Sequence, residues 1–165
     1  MSTPTNYYPW GFIYEVFCFL TPMYVANSFA LLLGGGKPLD LGKKFMDGKR
    51  LLGDGKTFRG TIGGIFFGGA VGFLLCGLGG GLTLASGSIL GDIFASFLKR
   101  RLKLERGEPA PLLDQLDFYL FASLFFSIVY DLKIEVFLAG LIVTPISHLI
   151  GNLLAYSLKI KDRPY

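Results

Sequence analysis

The chain has 165 residues, of which 52% are hydrophobic and 17% charged, with a formal net charge of +4 and a mean hydropathy of +0.52. Soluble domains carry about 25% charged residues, so the composition excludes an ordinary soluble domain, while the length suits one domain. No Asp, Glu, Lys or Arg occurs at 16–36, at 60–91 (32 positions in a row) or at 136–158. A helix needs about 20 apolar residues to cross the hydrocarbon core of a bilayer. The chain reads as an integral membrane protein.

Residues 1–14 hold no Lys or Arg for the positive region of a signal peptide, so a cleaved leader is not expected. The first span is predicted over 10–33, with Pro22 inside it. Tyr7, Tyr8 and Trp10 form an interfacial belt at its start, and Glu15 lies near the same interface. A basic, Gly-rich loop follows over about 34–60. The 32-residue uncharged stretch is too long for one crossing, and Gly79-Gly80-Gly81 is the expected break between spans at 61–78 and 82–98. Gly60, Gly64, Gly68 and Gly72 recur every four residues on the first of these. Such a stripe suits close helix approach, either a dimer seam or, as favoured here, packing within the chain. Cys18 and Cys76 lack any metal-type spacing and are expected to be small packing residues.

After a second loop at about 99–113, 13 uncharged residues separate Asp117 from Asp131, about 20 Å of helix. A fourth span must therefore begin near Leu112 or Leu113, which carries Asp114 and Asp117 into one end of the membrane. Asp131 and Glu135 belong to the outer turn, and a fifth span covers 134–158. In this layout seven Lys or Arg in 37–59, five in 99–106 and three in 159–163 share one side, and only Lys133 falls on the other. By the positive-inside rule the N-terminus is outside and both basic loops and the C-terminus are cytoplasmic. The expected fold is an all-α, polytopic protein of five transmembrane helices, with 1–165 as a single transmembrane domain.

The segment GDGKTFRG (53–60) contains the Gly-Lys-Thr of a phosphate-binding P-loop. That motif needs Gly five residues before Gly55. Arg50 stands there, so a true P-loop is excluded, leaving a loop whose backbone N–H groups and cations suit phosphates. Ser88, Asp92 and Ser96 lie at i, i+4 and i+8, with Lys99 at i+11, as one polar stripe on an apolar helix. A carboxylate in that position calls for a partner, an ion or an aqueous cavity. Asp114 and Asp117, three apart, share a face and enter from the same side. Carboxylates surrounded by cations suit Mg²⁺ bridging to substrate phosphates, so Asp92, Asp114 and Asp117 are the candidate metal ligands. His148, the single histidine, shares a face with Thr144, Gly151 and Asn152; a helix–helix hydrogen bond is its expected role. A small cation transporter or channel subunit, with Asp92 and His148 along an ion path, is the alternative reading of these polar groups.

GDIFASFLKRR (91–101), followed by DQLD (114–117), resembles the signature of the phosphatidate cytidylyltransferase (CDP-diacylglycerol synthase) family. GKTFRGTIGG (55–64) resembles that family's Lys-Thr-Trp-Glu-Gly segment. The small size and GKRLLGDGKTFRG (48–60) are similar to its archaeal branch, the CDP-archaeol synthases. The chain departs from the bacterial pattern where LERGEPAPLL (104–113) replaces a Lys-Asp pair and a Gly-His-Gly-Gly stretch, and where Gln115 replaces an arginine. The resemblance implies Mg²⁺-dependent transfer of CMP from CTP to 2,3-di-O-geranylgeranylglyceryl phosphate, giving a CDP-lipid and pyrophosphate at a cytoplasmic site in the cell membrane. It implies Asp92, Asp117 and Lys99 as catalytic residues, and Lys56, Arg59, Lys99 and Arg100 on the triphosphate. Lys44 or Arg101 would hold the lipid phosphate, and Thr57 and Ser96 would donate hydroxyls. The expected partners are CTP, the lipid phosphate and the bilayer, with a homodimer allowed and no nucleic acid.

Overall fold

Four helices make up most of the chain: α1 (Pro9–Leu32), α2 (Phe58–Arg101), α3 (Leu113–Val129) and α4 (Ile134–Ser157). They come from a computed structural model that describes residues 9–104, 108–110 and 112–157. Helices α1, α2 and α4 contain segments long and apolar enough to cross a membrane, at Gly11–Leu32, Phe58–Arg101 and Ile134–Gly151. Among the described residues there is no strand, only the isolated bridges Pro38–Thr57 and Lys44–Arg50 in the first loop. Large apolar side chains such as Leu31, Leu74 and Ile128 stand exposed on the outside of the bundle, as expected where the surroundings are lipid.

The 44 residues of α2 do not form one straight rod. Cys76 (φ −135°, ψ 18°) and Gly77 (φ 78°, ψ 165°) leave helical geometry, and the chain folds back there into two antiparallel limbs, 58–75 and 78–101. A side chain on Gly72 would meet the backbone of Gly81, and one on Gly69 would meet Leu82. The break therefore falls at Cys76–Gly77 and not at the expected Gly79-Gly80-Gly81. Gly77 takes the left-handed φ that glycine accepts without steric cost, while Gly81, inside the second limb, lets the limbs touch. Cys76 is exposed at this turn, so the expected packing role holds only for the buried Cys18.

The Gly60–Gly64–Gly68–Gly72 stripe packs within the chain. All four are buried. An added Cβ would lie 2.5 Å from the Ala30 carbonyl at Gly60, 2.7 Å from that of Ala26 at Gly64 and 2.8 Å from that of Pro22 at Gly68. The stripe is thus the seat of α1, and the dimer-seam alternative is not needed to explain it. A second small-residue pair escaped the sequence reading. A Cβ on Gly87 would come within 2.7 Å of Ala122 Cα, and one on Gly91 within 2.8 Å of Phe121 Cβ, so the second limb lies directly on α3. Phe19, Leu20, Met23, Leu84, Phe118, Tyr119, Ala122 and Val136 fill the space where α1, the second limb, α3 and α4 meet.

The first loop is organised by a residue the sequence reading passed over. Asp40 is buried. Its Oδ1 accepts hydrogen bonds from Gly42 N (3.0 Å) and Arg50 Nη2 (2.7 Å), and its Oδ2 from Arg50 Nε (3.1 Å), Leu52 N (3.0 Å) and Gly53 N (2.9 Å). The Arg50 guanidinium, helped by the Gly53, Leu52 and Gly42 amides, holds this carboxyl well below the usual carboxylate range, against the opposing effect of burial.

Candidate active site

Thr57 begins the site. Its extended backbone (φ −122°, ψ 152°) makes it the N-cap of α2, and its Oγ1 accepts from Gly60 N at 3.2 Å, satisfying one of the amides that a helix start leaves open. The cap aims Gly55 and Lys56 inward, where Lys56 Nζ lies 2.5 Å from Asp92 Oδ2 on the second limb. At the end of that limb Lys99 Nζ lies 2.6 Å from Asp114 Oδ1 and donates to the Glu108 carbonyl at 2.9 Å. Asp114 sits in the first turn of α3, where the helix dipole favours a carboxylate, and its Oδ2 accepts from Ala110 N at 3.0 Å. Asp117, one turn on, receives the Phe118 amide on Oδ1 at 2.6 Å.

These groups line one cavity of about 400 Å³. Lys56, Thr57, Asp92, Lys99, Asp114 and Asp117 all face it, together with Asn27 and Ser28 of α1, Thr61 of the first limb, Glu108, and His148 of α4. The expected convergence of Asp92, Asp114 and Asp117 on one space is observed. Among the described residues, however, no three His, Cys, Asp or Glu side chains stand close enough to hold a metal ion together; Lys99 pairs with Asp114 and Lys56 with Asp92. Carboxylate oxygens are the donors a hard divalent cation prefers, and Mg²⁺ commonly takes only one or two of them, with phosphate and water completing its shell. The donor set fits such an ion.

Other expected site residues are engaged elsewhere. Arg59 donates to the Leu33 carbonyl (2.7 Å) and the Gly34 carbonyl (2.9 Å) just past the end of α1. Arg100 donates to the Leu104 carbonyl at 2.7 Å. Arg101 pairs with Asp47 and donates to the Arg50 carbonyl, both at 2.6 Å, and its guanidinium carbon stands 4.8 Å from the Phe45 ring centre and 5.1 Å from that of Phe97. Lys44 is exposed and Ser96 half-buried. None of these five lines the cavity. Lys99, Arg100 and Arg101 belong to the last turn of α2, not to a loop starting at 99, and there they complement the helix dipole. Ser88, on the expected polar stripe, is fully buried and donates to the Met23 carbonyl at 3.1 Å; it fastens the second limb to α1.

A family model described as CarS-like, CDP-archaeol synthase, matches residues 10–79 and 75–165. The CDP-archaeol synthase of Methanopyrus kandleri is 47% identical over 156 residues, covering 89% of this chain and 90% of its own. The chain belongs to the CDP-archaeol synthase family. That of Methanocaldococcus jannaschii is 45% identical, covering 87% of this chain and 92% of its own. A solved intramembrane enzyme for archaeal membrane lipid biosynthesis superposes with a TM-score of 0.78 at 38% identity, covering 84% of this chain and 93% of that one.

For this CDP-archaeol synthase family member, the motif-bearing segments 53–60, 91–101 and 114–117 are the ones that meet at the cavity. Asn27 and Ser28 belong to no motif and carry no charge, so nothing in the sequence separates them from ordinary polar residues near a helix end; Thr61 lies within GKTFRGTIGG (55–64), where only Lys56, Thr57 and Arg59 have an expected role. His148 was expected to make a helix–helix hydrogen bond; its placement on the cavity wall follows from how α4 packs.

Proposed function

We propose that this protein is a membrane cytidylyltransferase that transfers CMP from CTP to 2,3-di-O-geranylgeranylglyceryl phosphate, releasing CDP-archaeol and pyrophosphate. One observation carries the reading in a chain of this family. Two lysines and three aspartates, drawn from the first loop, the second limb and α3, line one polar cavity in a bundle with an apolar exterior.

A lipid phosphate oxygen attacks the α-phosphorus of CTP, and the bond from that phosphorus to the bridging oxygen of the β-phosphate breaks, so pyrophosphate leaves with the bonding electrons. A phosphate monoester is already mostly ionised near neutral pH, its second pKa being about 6, so no general base is required. Mg²⁺ held by Asp92 and Asp117, with Asp114 beside them, would supply charge neutralisation on the triphosphate. Lys56 and Lys99 reach into the cavity on their aspartate partners and can turn their N–H donors to phosphate oxygens. The Thr57 cap fixes Lys56 relative to α2. Arg59 and Arg101 then serve by bracing the loop that presents Gly55 and Lys56, and Arg100 and Ser96 lie behind the reacting groups.

In this reading α1, both limbs of α2, α3 and α4 make five crossings of the cell membrane. The N-terminus is outside, and the C-terminus and the site are on the cytoplasmic side. The Gly60–Gly72 stripe is occupied by α1, so a homodimer would draw on another lipid-facing surface. The charged groups gather at one end of the bundle instead of forming a path through it, which does not favour a transporter.

The test is CDP-lipid formation by purified protein in detergent, with the ether-lipid phosphate and CTP. Asp92→Asn and Asp117→Asn should each lower the rate by roughly a hundredfold or more while the helical circular dichroism persists. Chelation should stop turnover and added Mg²⁺ restore it. Full activity in both variants would sink the proposed roles of the aspartates.

A further inference from the structure

The cavity has a floor and a side wall, and their arrangement indicates where the lipid enters. Tyr24 of α1 donates its hydroxyl to Thr144 Oγ1 of α4 at 3.0 Å, and Thr144 is fully buried. The helices run parallel, since each starts from the end of the bundle opposite the first loop. One helical turn beyond this latch, toward the loop end, α1 presents Ser28 and α4 presents His148 (i+4 in both cases), and both line the cavity. Among the described residues, His148 is the one residue of α4 that lines it. Around His148, Ile146 is 52% exposed and Leu149 and Ile150 are each 51% exposed. Across from it Leu31 of α1 is 81% exposed although it too borders the cavity. At this level α1 and α4 carry polar groups on the cavity side and bare apolar surface on the lipid side.

We propose that the lipid phosphate enters sideways between α1 and α4, above the Tyr24–Thr144 latch, and that His148 donates an imidazole N–H to its phosphate, with the Ser28 hydroxyl as second donor. The inference rests on the lipid-phosphate cytidylyltransferase reading above. Lys56 and Lys99 come from the first loop and the end of the second limb, on the side a soluble nucleotide reaches. The second phosphate needs its own donor on the bilayer side, and α4 supplies one. The lipid tails would lie along Leu31, Ile146, Leu149 and Ile150, in contact with both protein and membrane.

The test is steady-state kinetics in mixed micelles, varying the ether-lipid phosphate and CTP separately. His148→Ala should raise the KM for the lipid phosphate roughly tenfold and leave the KM for CTP within roughly twofold. His148→Gln, which keeps an N–H donor, should recover part of that loss. Ser28→Trp, which places an indole in the entrance, should raise the lipid KM as well, and fluorescence titration with CTP should show nucleotide binding retained in both the His148→Ala and Ser28→Trp variants. An unchanged lipid KM in His148→Ala, or a parallel rise in the CTP KM, overturns the assignment. So does a fall in kcat with both KM values unchanged. Absence of any CDP-lipid from the unmodified protein would remove the cytidylyltransferase reading itself, an outcome distinct from these.

Discussion

Asp40 shows how one buried carboxylate can set the shape of a loop. It gathers three backbone amides and a two-pronged guanidinium contact, and the loop it closes ends at the Lys56–Thr57 pair that opens the site. Arg50 also pairs with Asp54 at 2.9 Å, so Asp40→Asn leaves the guanidinium one partner; the expected loss is about 2–3 kcal/mol of local stability. The variant should be cut within 41–55 by added protease faster than the parent. Acid should do the same to the parent. The folded-state carboxyl titrates below its ordinary range, so its contribution is complete above the unfolded value of about 3.9 and falls as pH drops through and below it. Loop protection measured by hydrogen exchange should therefore decline below about pH 4, and Asp40→Asn should lack that decline. Equal acid sensitivity in both would show that Asp40 is not the group responsible.

At the scale of elements, the glycines decide which helices touch, and that decides the spacing of the site's carboxylates. Gly91 sits against the backbone of Asp117 and the Phe121 side chain, immediately before Asp92. Gly91→Ala places a methyl group where backbone already lies. Overpacking of this kind costs about 1–3 kcal/mol, and it would push α3 away from the second limb. The added methyl need not touch substrate, yet Asp92 and Asp117 would move apart. The expected result is a drop in kcat/KM by roughly tenfold, equivalent to about 1.4 kcal/mol, with helix content unchanged. Unaltered kinetics would mean that the site tolerates this displacement. The same substitution at Gly11, which has nothing within 4 Å of a built Cβ, is the neutral control.

The whole molecule is polar at one end and apolar along its flanks. The first loop and the cavity occupy the charged end. The opposite end holds the Gly77 turn and an exposed Lys133–Glu15 pair at 2.6 Å, which is worth little in stability but gives that lysine a counter-charge. The five-crossing layout predicts opposite labelling of these ends. With both cysteines replaced, Met46→Cys, at a position 95% exposed, should react with an impermeant maleimide only from the cytoplasmic face. Asp131→Cys should react only from the outer face. Reaction of both from one side would overturn the layout.

The membrane class, the helix ranges and the motif segments were legible in the sequence, because hydrocarbon admits only long uncharged helices and a missing charge shows in one dimension. The aspartates were legible for the same reason: Asp92 is conspicuous where burying a charge is costly. The break in α2 was misplaced by a few residues, since several glycines offered themselves and only the packing of Gly72 on Gly81 selects Gly77 for the turn. The tertiary structure also decided which cations face the cavity. Lys56 and Lys99 do, whereas Arg59, Arg100 and Arg101 turn to carbonyls and Asp47, because a guanidinium carries five donors and helix ends and loops leave carbonyls to satisfy. Asn27, Ser28 and His148 reach the cavity wall only through the packing of α1 on α2 and of α4 on α1 and α3. Charge placement along a chain reports the cost of leaving water, but which polar groups share a cavity depends on helix contacts between residues distant in sequence.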